Sequence, residues 1–447
     1  MPADQNDLDL LTDLLARAKA AGADAADAVM VHATSLSHAR RLGELERLER
    51  AESSDLGLRV LVGRRQAVVS STDVTPATLA QLAEQAVAMA RSVPEDPNCG
   101  LADPEEIARD LPDLDVCDPE EPATEVLIER ARACEEAARA VPGVTNSEGA
   151  EAGWSMSRVT LAASNGFSGG YAGSSHSIGT AVLAGEGQGM ERDYDYSSVV
   201  YGADLEDPAE VGRRAGERTV RRLNPRKPDT GKYPVVFDPR VGNGLLRHFS
   251  GAINGTAIAR GTSFLKDAME TRVFAEGITI VDDPHRPRGL RSKPFDGEGL
   301  PNRRRDLVTA GVLQTWILDL RSGRQLGLAS TGHAARGTSS PPSPAATNLY
   351  MEAGAQSPEA LIGEIDQGLY VTEMMGMGIN IVTGDYSRGA AGFWIEKGEL
   401  THPVSELTVA GNLKDMFLNL TPASDLVFRY GVNAPTLRVD GMTLAGS

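Results

Sequence analysis

The stretch GLYVTEMMGMGINIVTGDYSRGAAGFWIEKGELTHPVSELTVAGNL, Gly368 to Leu413, sets the fold class. Three segments in it, Leu369–Val382, Ala391–Glu396 and Leu400–Val409, read as strands. Between the first two lies Thr383–Gly389, TGDYSRG, with Asp and Gly at a turn. It reads either as a plain hairpin loop or as a loop facing a cavity or a partner, which makes Thr383, Gly384, Asp385, Tyr386, Ser387 and Arg388, with Glu396 beyond them, candidate contact residues. The same texture continues on both sides. Tyr233–Phe237, Asp306–Leu320 and Asp425–Leu444 read as strands, and Leu413–Leu420 as one short helix. Between them, Gly337–Thr347 (GTSSPPSPAAT) reads as a long mobile loop over a surface or a cavity.

The first half of the chain is patterned differently. Asp7–Ala21 carries Leu8, Leu11, Leu14, Leu15 and Ala18 at helical spacing and stops at Gly22. Strands come next at Asp27–Thr34, Leu42–Glu52, Gly57–Val62 and Ala67–Ser71. Thr75-Pro76 then opens a second helix. Pro94–Pro122, rich in Asp, Glu and Pro, is an exposed crossing before a third helix, Ala123–Ala140. Val144–Val200 turns to strand again, with Asn165-Gly166 as a hairpin signal, and Pro208–Leu223 is helical. NPRKPDTGK, Asn224–Lys232, has the composition of a linker. The expectation is an α+β protein: residues 1–225 form an N-terminal α/β domain, an antiparallel sheet with covering helices, and residues 226–447 a β-rich C-terminal domain.

Bulk properties exclude several roles. The net charge of -18 disfavours a nucleic-acid surface, because phosphate binding needs clustered cations. No apolar run approaches the ~18 residues of a membrane span. The N-terminus is acidic and amphipathic, unlike a signal peptide. Three cysteines, Cys99, Cys117 and Cys134, show no metal-ligand spacing, and an odd count suits a reducing compartment. The expected location is cytoplasmic.

GLLRHFSGAINGT, Gly244–Thr256, lies on the helix after Phe237. Together with DDPHRPRGLRSKPFDGEG (Asp282–Gly299), NLYMEAG (Asn348–Gly354) and the segment Gly368–Leu413, it resembles the TldD/PmbA family, known in older usage as modulators of DNA gyrase. The long last segment resembles the PmbA, or TldE, branch. The likeness covers nearly the whole chain and is densest after residue 230. It implies a TldD-type partner that supplies zinc inside an enclosed cavity where unfolded peptides or leader segments are cleaved.

TldD-type members carry His-Glu-x-x-x-His where this chain has His248, Phe249, Ser250, Gly251, Ala252 and Ile253. Hydrolysis on zinc needs about three protein ligands, an open position and a base for the water proton. Phe249 and Ile253 have no lone pairs to offer. The cysteine ligand that TldD-type members take from the C-terminal domain is also missing, since every cysteine here precedes residue 135. The expectation is a non-catalytic subunit with no cofactor of its own, working on extended peptide beside a TldD-type partner, or homodimeric in isolation.

Other motifs have plainer readings. GFSGG, Gly166–Gly170, matches the serine-hydrolase pattern, but that motif needs a helix after the serine, and the residues beyond Ser168 are strand-like. Asp282, Asp283, His285, Asp296 and Glu298 read as turn chemistry among prolines and glycines rather than as a cation site. An independent hydrolase built on Ser174, His176 or the Asp282 cluster is the alternative, as is a homodimeric peptide-binding scaffold.

Overall fold

The computed structural model describes residues 4–446. α1 (Gln5–Ala20) begins at Asp4, whose carboxylate accepts from the Asn6 amide, and buries Leu11, Leu14 and Ala18. β1 (Ala25–Arg41), β2 (Glu44–Val62) and β3 (Arg65–Ser71) form a meander, succeeded by α2 (Pro76–Ser92) and α3 (Thr124–Arg139). β4 (Val144–Ala163), β5 (Ser168–Ala184), β6 (Glu191–Val199) and α4 (Pro208–Arg221) complete this part. The six strands make one antiparallel sheet in the order β3-β2-β1-β4-β5-β6.

The period-two alternation of β1 decides what each face meets. Ala26, Ala28 and Met30 lie under α1 and α2, and Leu36 lies under α3 and α4. Val29 and Val31 point the other way, to Ala108 and Leu101 of the crossing segment and to Phe295 from the second half of the chain. The helices therefore take one face and the C-terminal half takes the other.

β7 (Gly231–Phe237) leads into α5 (Pro239–Ala252), whose first amides are capped by Asp238. Then come α6 (Gly255–Ala259), β8 (Ile280–Asp282), β9 (Arg305–Thr309), β10 (Val312–Leu313) and α7 (Leu320–Leu326). β11 (Ala334–Ala335) and β12 (Ser343–Pro344) pair with each other, and β13 (Leu349–Met351) and α8 (Pro358–Gly363) come after them. The chain ends with β14 (Gln367–Met375), β15 (Asp385–Glu396), β16 (Glu399–Asn412), α9 (Leu413–Leu418), β17 (Leu420–Pro422), β18 (Val432–Asn433) and β19 (Leu437–Ala445).

Neighbouring strands run β16-β15-β14-β7-β19, and β16 also pairs with β19, so the ring closes into a five-stranded barrel. Closure removes the strand edges that an open sheet would leave. Val235, Leu369, Val409 and Val439 share one core with Leu245, Leu246 and Phe249 of α5. A smaller sheet, β10-β9-β8-β13-β18, flanks it. No helix among the described residues is long and apolar enough to cross a membrane.

The α+β class and the β-rich second half agree with the sequence reading, and the differences are local. Leu42–Glu52 and Gly57–Val62 fall in one strand from Glu44, because β1 pairs with β2 from Glu44 to Leu61 with a single bulge at Glu46. Gly57 marks a contact rather than a break: a Cβ there would sit 2.2 Å from the Thr338 carbonyl oxygen. Gly337–Thr347 therefore docks on the N-terminal sheet instead of moving freely. Beside it, Arg336 reaches Asp27, which also accepts from Arg59 Nε at 2.9 Å, and all three side chains are buried.

Asp306–Leu320 breaks at Ala310-Gly311, both with positive φ, and ends in the Asp319 capping box of α7. Leu369–Val382 stops as strand at Met375, where Gly376 turns with φ of 78°. In Asp425–Leu444 only β18 and β19 are strands. Asp385–Gly389, expected in a loop, opens β15 and pairs with Thr408–Asn412.

Candidate functional site

α5 is amphipathic, burying Leu245, Leu246, Phe249 and Ala252 at helical spacing. The positions of interest fall on both sides of this division. Phe249 is fully buried, edge-on to Phe274 at 5.1 Å and to Phe417 at 6.1 Å, while Phe274 and Phe417 stack at 4.4 Å. Ile253 is fully buried in the same core. His248 is half-buried on another side of the helix, its ring 6.1 Å from that of Tyr386.

The electrostatics at His248 oppose a cation. Burial, then Arg388 and Arg247, push its pKa down to about 4, so the ring is neutral at pH 7. Its Nε2 is enclosed without a hydrogen-bond partner. Arg388 is held by donating Nε to the Gly376 carbonyl (3.0 Å) and Nη2 to that of Met374 (3.3 Å). One imidazole, an aromatic core, an aliphatic side chain and two guanidiniums do not fit zinc, which needs three or four lone-pair donors and tolerates few positive neighbours. Among the described residues no group of three or more His, Cys, Asp or Glu side chains is placed to hold a metal ion.

The loop residues gather at the same end of the barrel. Thr383 Oγ1 donates to Asp385 Oδ2 (2.6 Å), and Asn412 Nδ2 donates to the Thr383 carbonyl and to Asp385 Oδ1, both at 3.1 Å. Gly384, at φ of 86°, accepts from the Leu413 amide. Tyr386 is buried against His248, and the Ser387 amide donates to Gly378. Ile381 approaches Gly251, so the loop covers part of the exposed side of α5. Glu396 is not part of this group. It closes β15 opposite Gln367 and Glu399, eight residues or about 27 Å beyond Arg388 at strand rise.

The rival motifs resolve into structural roles. Ser168 starts a strand, so the hydrolase pattern lacks its helix. Ser174 Oγ donates to the Val200 carbonyl (2.9 Å) and accepts from the Asp118 amide (2.7 Å). His176 Nε2 lies 3.1 Å from Asp118 Oδ2, and burial lowers the ring's pKa. Both side chains are buried and clamp the crossing segment onto β5. Asp282 accepts from Thr347 and faces His333 Nε2 at 3.1 Å, and Asp296 accepts from the amides of Glu298, Leu300 and Ala334. Burial and then Asp296 push the Glu298 carboxyl up to about 8. Sequence reasoning missed that Asp27, Arg59, Arg336 and Glu298 meet, because nothing local marks a contact between residues about three hundred positions apart.

Known proteins extend this picture. Three family models match in order: PmbA/TldA metallopeptidase domain 1 over residues 26–90, the central domain over 117–223 and the C-terminal domain over 230–446. The metalloprotease PmbA of Escherichia coli O157:H7 is 39% identical, over 95% of this chain and 92% of that protein. A putative modulator of DNA gyrase from Bacteroides thetaiotaomicron superposes with a TM-score of 0.91 at 28% identity, covering 99% of this chain and all of the other. TldE from Thermococcus kodakarensis shares the fold, with a TM-score of 0.87 at 21% identity over 98% and 100% of the two chains. The chain belongs to the PmbA/TldD metallopeptidase family.

Proposed function

We propose that this chain is the non-catalytic, PmbA/TldE-type subunit of a heteromeric zinc protease of the cytoplasm. A TldD-type partner carries the zinc and cuts the bond. This chain completes the enclosure and helps to admit unfolded or leader peptide in extended form. Residues 1–225 and 226–447 act as its two structural units.

The observation that supports this most is the state of α5. Phe249 and Ile253 are core residues with no donor atoms, and the surviving imidazole is neutral and flanked by Arg247 and Arg388. The three cysteines all lie in the N-terminal half, far along the chain from α5. A relative's name, metalloprotease PmbA, speaks for proteolysis, and the donor set of this chain favours a metal held by another subunit. Purification from the native host tests the reading. A companion bearing an intact His-Glu-x-x-x-His motif should elute in equal amount, with zinc bound to that companion. Chelator-sensitive peptidase activity in this chain alone would refute it.

A further inference from the structure

A cavity at the seam between the two halves belongs to none of the sites described above. It holds about 610 Å³ between β6 and α4 on one side and α8, β14 and β15 on the other. That size is usual for small-molecule sites, which span about 300–1,000 Å³. Several charges on its walls are already paired. Arg240 Nη1 donates to Asp193 Oδ1 at 2.9 Å, Tyr370 Oη donates to Asp238 Oδ2 at 2.9 Å, and Arg218 Nη1 lies 2.8 Å from Asp195 Oδ1.

What remains unpaired forms a pattern. Thr372 is the extra residue of a bulge in β14, where Val371 pairs with Gly392 and Glu373 with Ala391. Bulges often serve to aim a side chain beside a site. Thr372 lines the cavity, is nine-tenths buried, and its Oγ1 has no hydrogen-bond partner. Buried hydroxyls are rarely left in that state. Arg221 holds its guanidinium carbon 4.9 Å from the centre of the Phe393 ring and has no acid within ion-pair distance among the described residues. Stacking of this kind fixes the guanidinium plane and leaves its edge N–H groups for an acceptor with two coplanar oxygens. Glu359 and Glu399 are exposed carboxylates on the same cavity, with no cation within ion-pair distance among the described residues. Ile362, Leu400 and Phe393 supply apolar wall.

A free cation with a hydroxyl, two free acids and an apolar wall match a molecule that carries a carboxylate, an ammonium and an aliphatic side chain. We propose that this cavity binds short zwitterionic peptides, with the C-terminal carboxylate on Arg221 and Thr372 Oγ1 and the N-terminal ammonium towards Glu359 and Glu399. A simple anion would meet the two acids unfavourably, and a simple cation would leave Arg221 without a partner. The ligand class follows from the lining of the cavity alone, so the site stands whether or not a zinc-bearing partner exists.

Titration calorimetry of leucyl-leucine into the purified full-length chain tests the site. The dipeptide binds with a Kd of about 1 mM or tighter, and leucyl-leucinamide, which lacks the carboxylate, binds about tenfold more weakly or worse. Arg221→Gln weakens the acid by the same factor and removes its preference over the amide, because both changes delete one contact. N-acetyl-leucyl-leucine binds the parent more weakly than the free dipeptide does, and the two bind equally once Glu359→Gln and Glu399→Gln are combined. Thr372→Val loses several-fold in affinity while the free chain melts no lower than the parent, since its hydroxyl had no partner to lose. Circular dichroism confirms that each variant is folded.

Four results each overturn the proposal. They are no heat of binding up to about 10 mM dipeptide, an amide or an acetylated peptide that binds as tightly as the free one, an acid preference that survives Arg221→Gln, and a Thr372→Val chain with parental affinity or a lowered melting point.

Discussion

Asp27→Asn is the substitution through which the two halves of the molecule are most open to test. Among the described residues its carboxylate is the only acid in direct contact with both Arg59 of β2 and Arg336 of the docked loop, and all three side chains are at most 4% exposed. Burial alone would raise the Asp27 carboxyl, but Arg336 and Arg59 outweigh it and hold its pKa below the usual carboxylate value. The pair therefore contributes stability at all pH values above about 3.8 and loses it only as pH falls through the lower, folded value.

Removing the charge leaves two desolvated guanidiniums facing an amide. Breaking a buried pair in this way costs about 3–5 kcal/mol. With an unfolding entropy of about 2.1 cal/mol/K per residue, that is a drop of about 6–11 °C if the N-terminal half unfolds by itself, and about 3–5 °C if the whole chain unfolds as one unit. Scanning calorimetry at pH 7 separates these cases, and adding Arg336→Met tests the coupling. The double variant should be more stable than the sum of the single effects by about 2 kcal/mol, because one of the orphaned cations is gone. A loss below about 1 kcal/mol for Asp27→Asn, or strict additivity in the double variant, would refute this picture of the interface.

Three further outcomes are expected from the same structure. Glu298 keeps its proton up to about pH 8 when folded and loses it near 4.5 when unfolded, so native stability falls as pH rises through that window. Glu298→Gln, which keeps an acceptor for the Leu320 amide, should flatten the decline and add about 1–3 kcal/mol at pH 8 relative to pH 5 in urea melts; an unchanged slope contradicts it. His248 has the opposite sign: its folded value near 4 lies below the unfolded 6.5, so stability is lost as pH falls from 6.5 towards 4. His248→Gln should remove about 1–2 kcal/mol of that loss, discounted for a half-buried ring, and an equal acid sensitivity in variant and parent argues against the burial described. Installing the missing groups with Phe249→Glu and Ile253→His should cost about 5 kcal/mol or more through lost core packing and a buried charge, with no gain of metal. A folded, zinc-loaded double variant, seen by metal analysis and circular dichroism, would show that the core tolerates a site.

Much of the architecture was legible from periodicity and turn residues. Leu11, Leu14 and Ala18 mark the buried face of α1, and Asn165-Gly166 marks the β4–β5 hairpin. What the sequence concealed was set by distant contacts. β2 reads as two strands because its outer half is polar on both faces, yet β1 pairs along its whole length apart from one bulge at Glu46. The start of β15 reads as a loop because Asp385 and Ser387 are polar, and only pairing with β16 makes it a strand. At the candidate site, the loss of donors at 249 and 253 was visible in the residues themselves. The positive surroundings of His248 were not, because Arg388 arrives from a strand 140 residues later.

Zinc analysis of the purified chain, paired with a peptidase assay on an unfolded peptide, tests the central claim most directly. The expected result is zinc well below one per chain and no chelator-sensitive cleavage, with both appearing only when a TldD-type partner is added. One zinc per chain, with hydrolysis that chelation stops and His248→Ala abolishes, would contradict it.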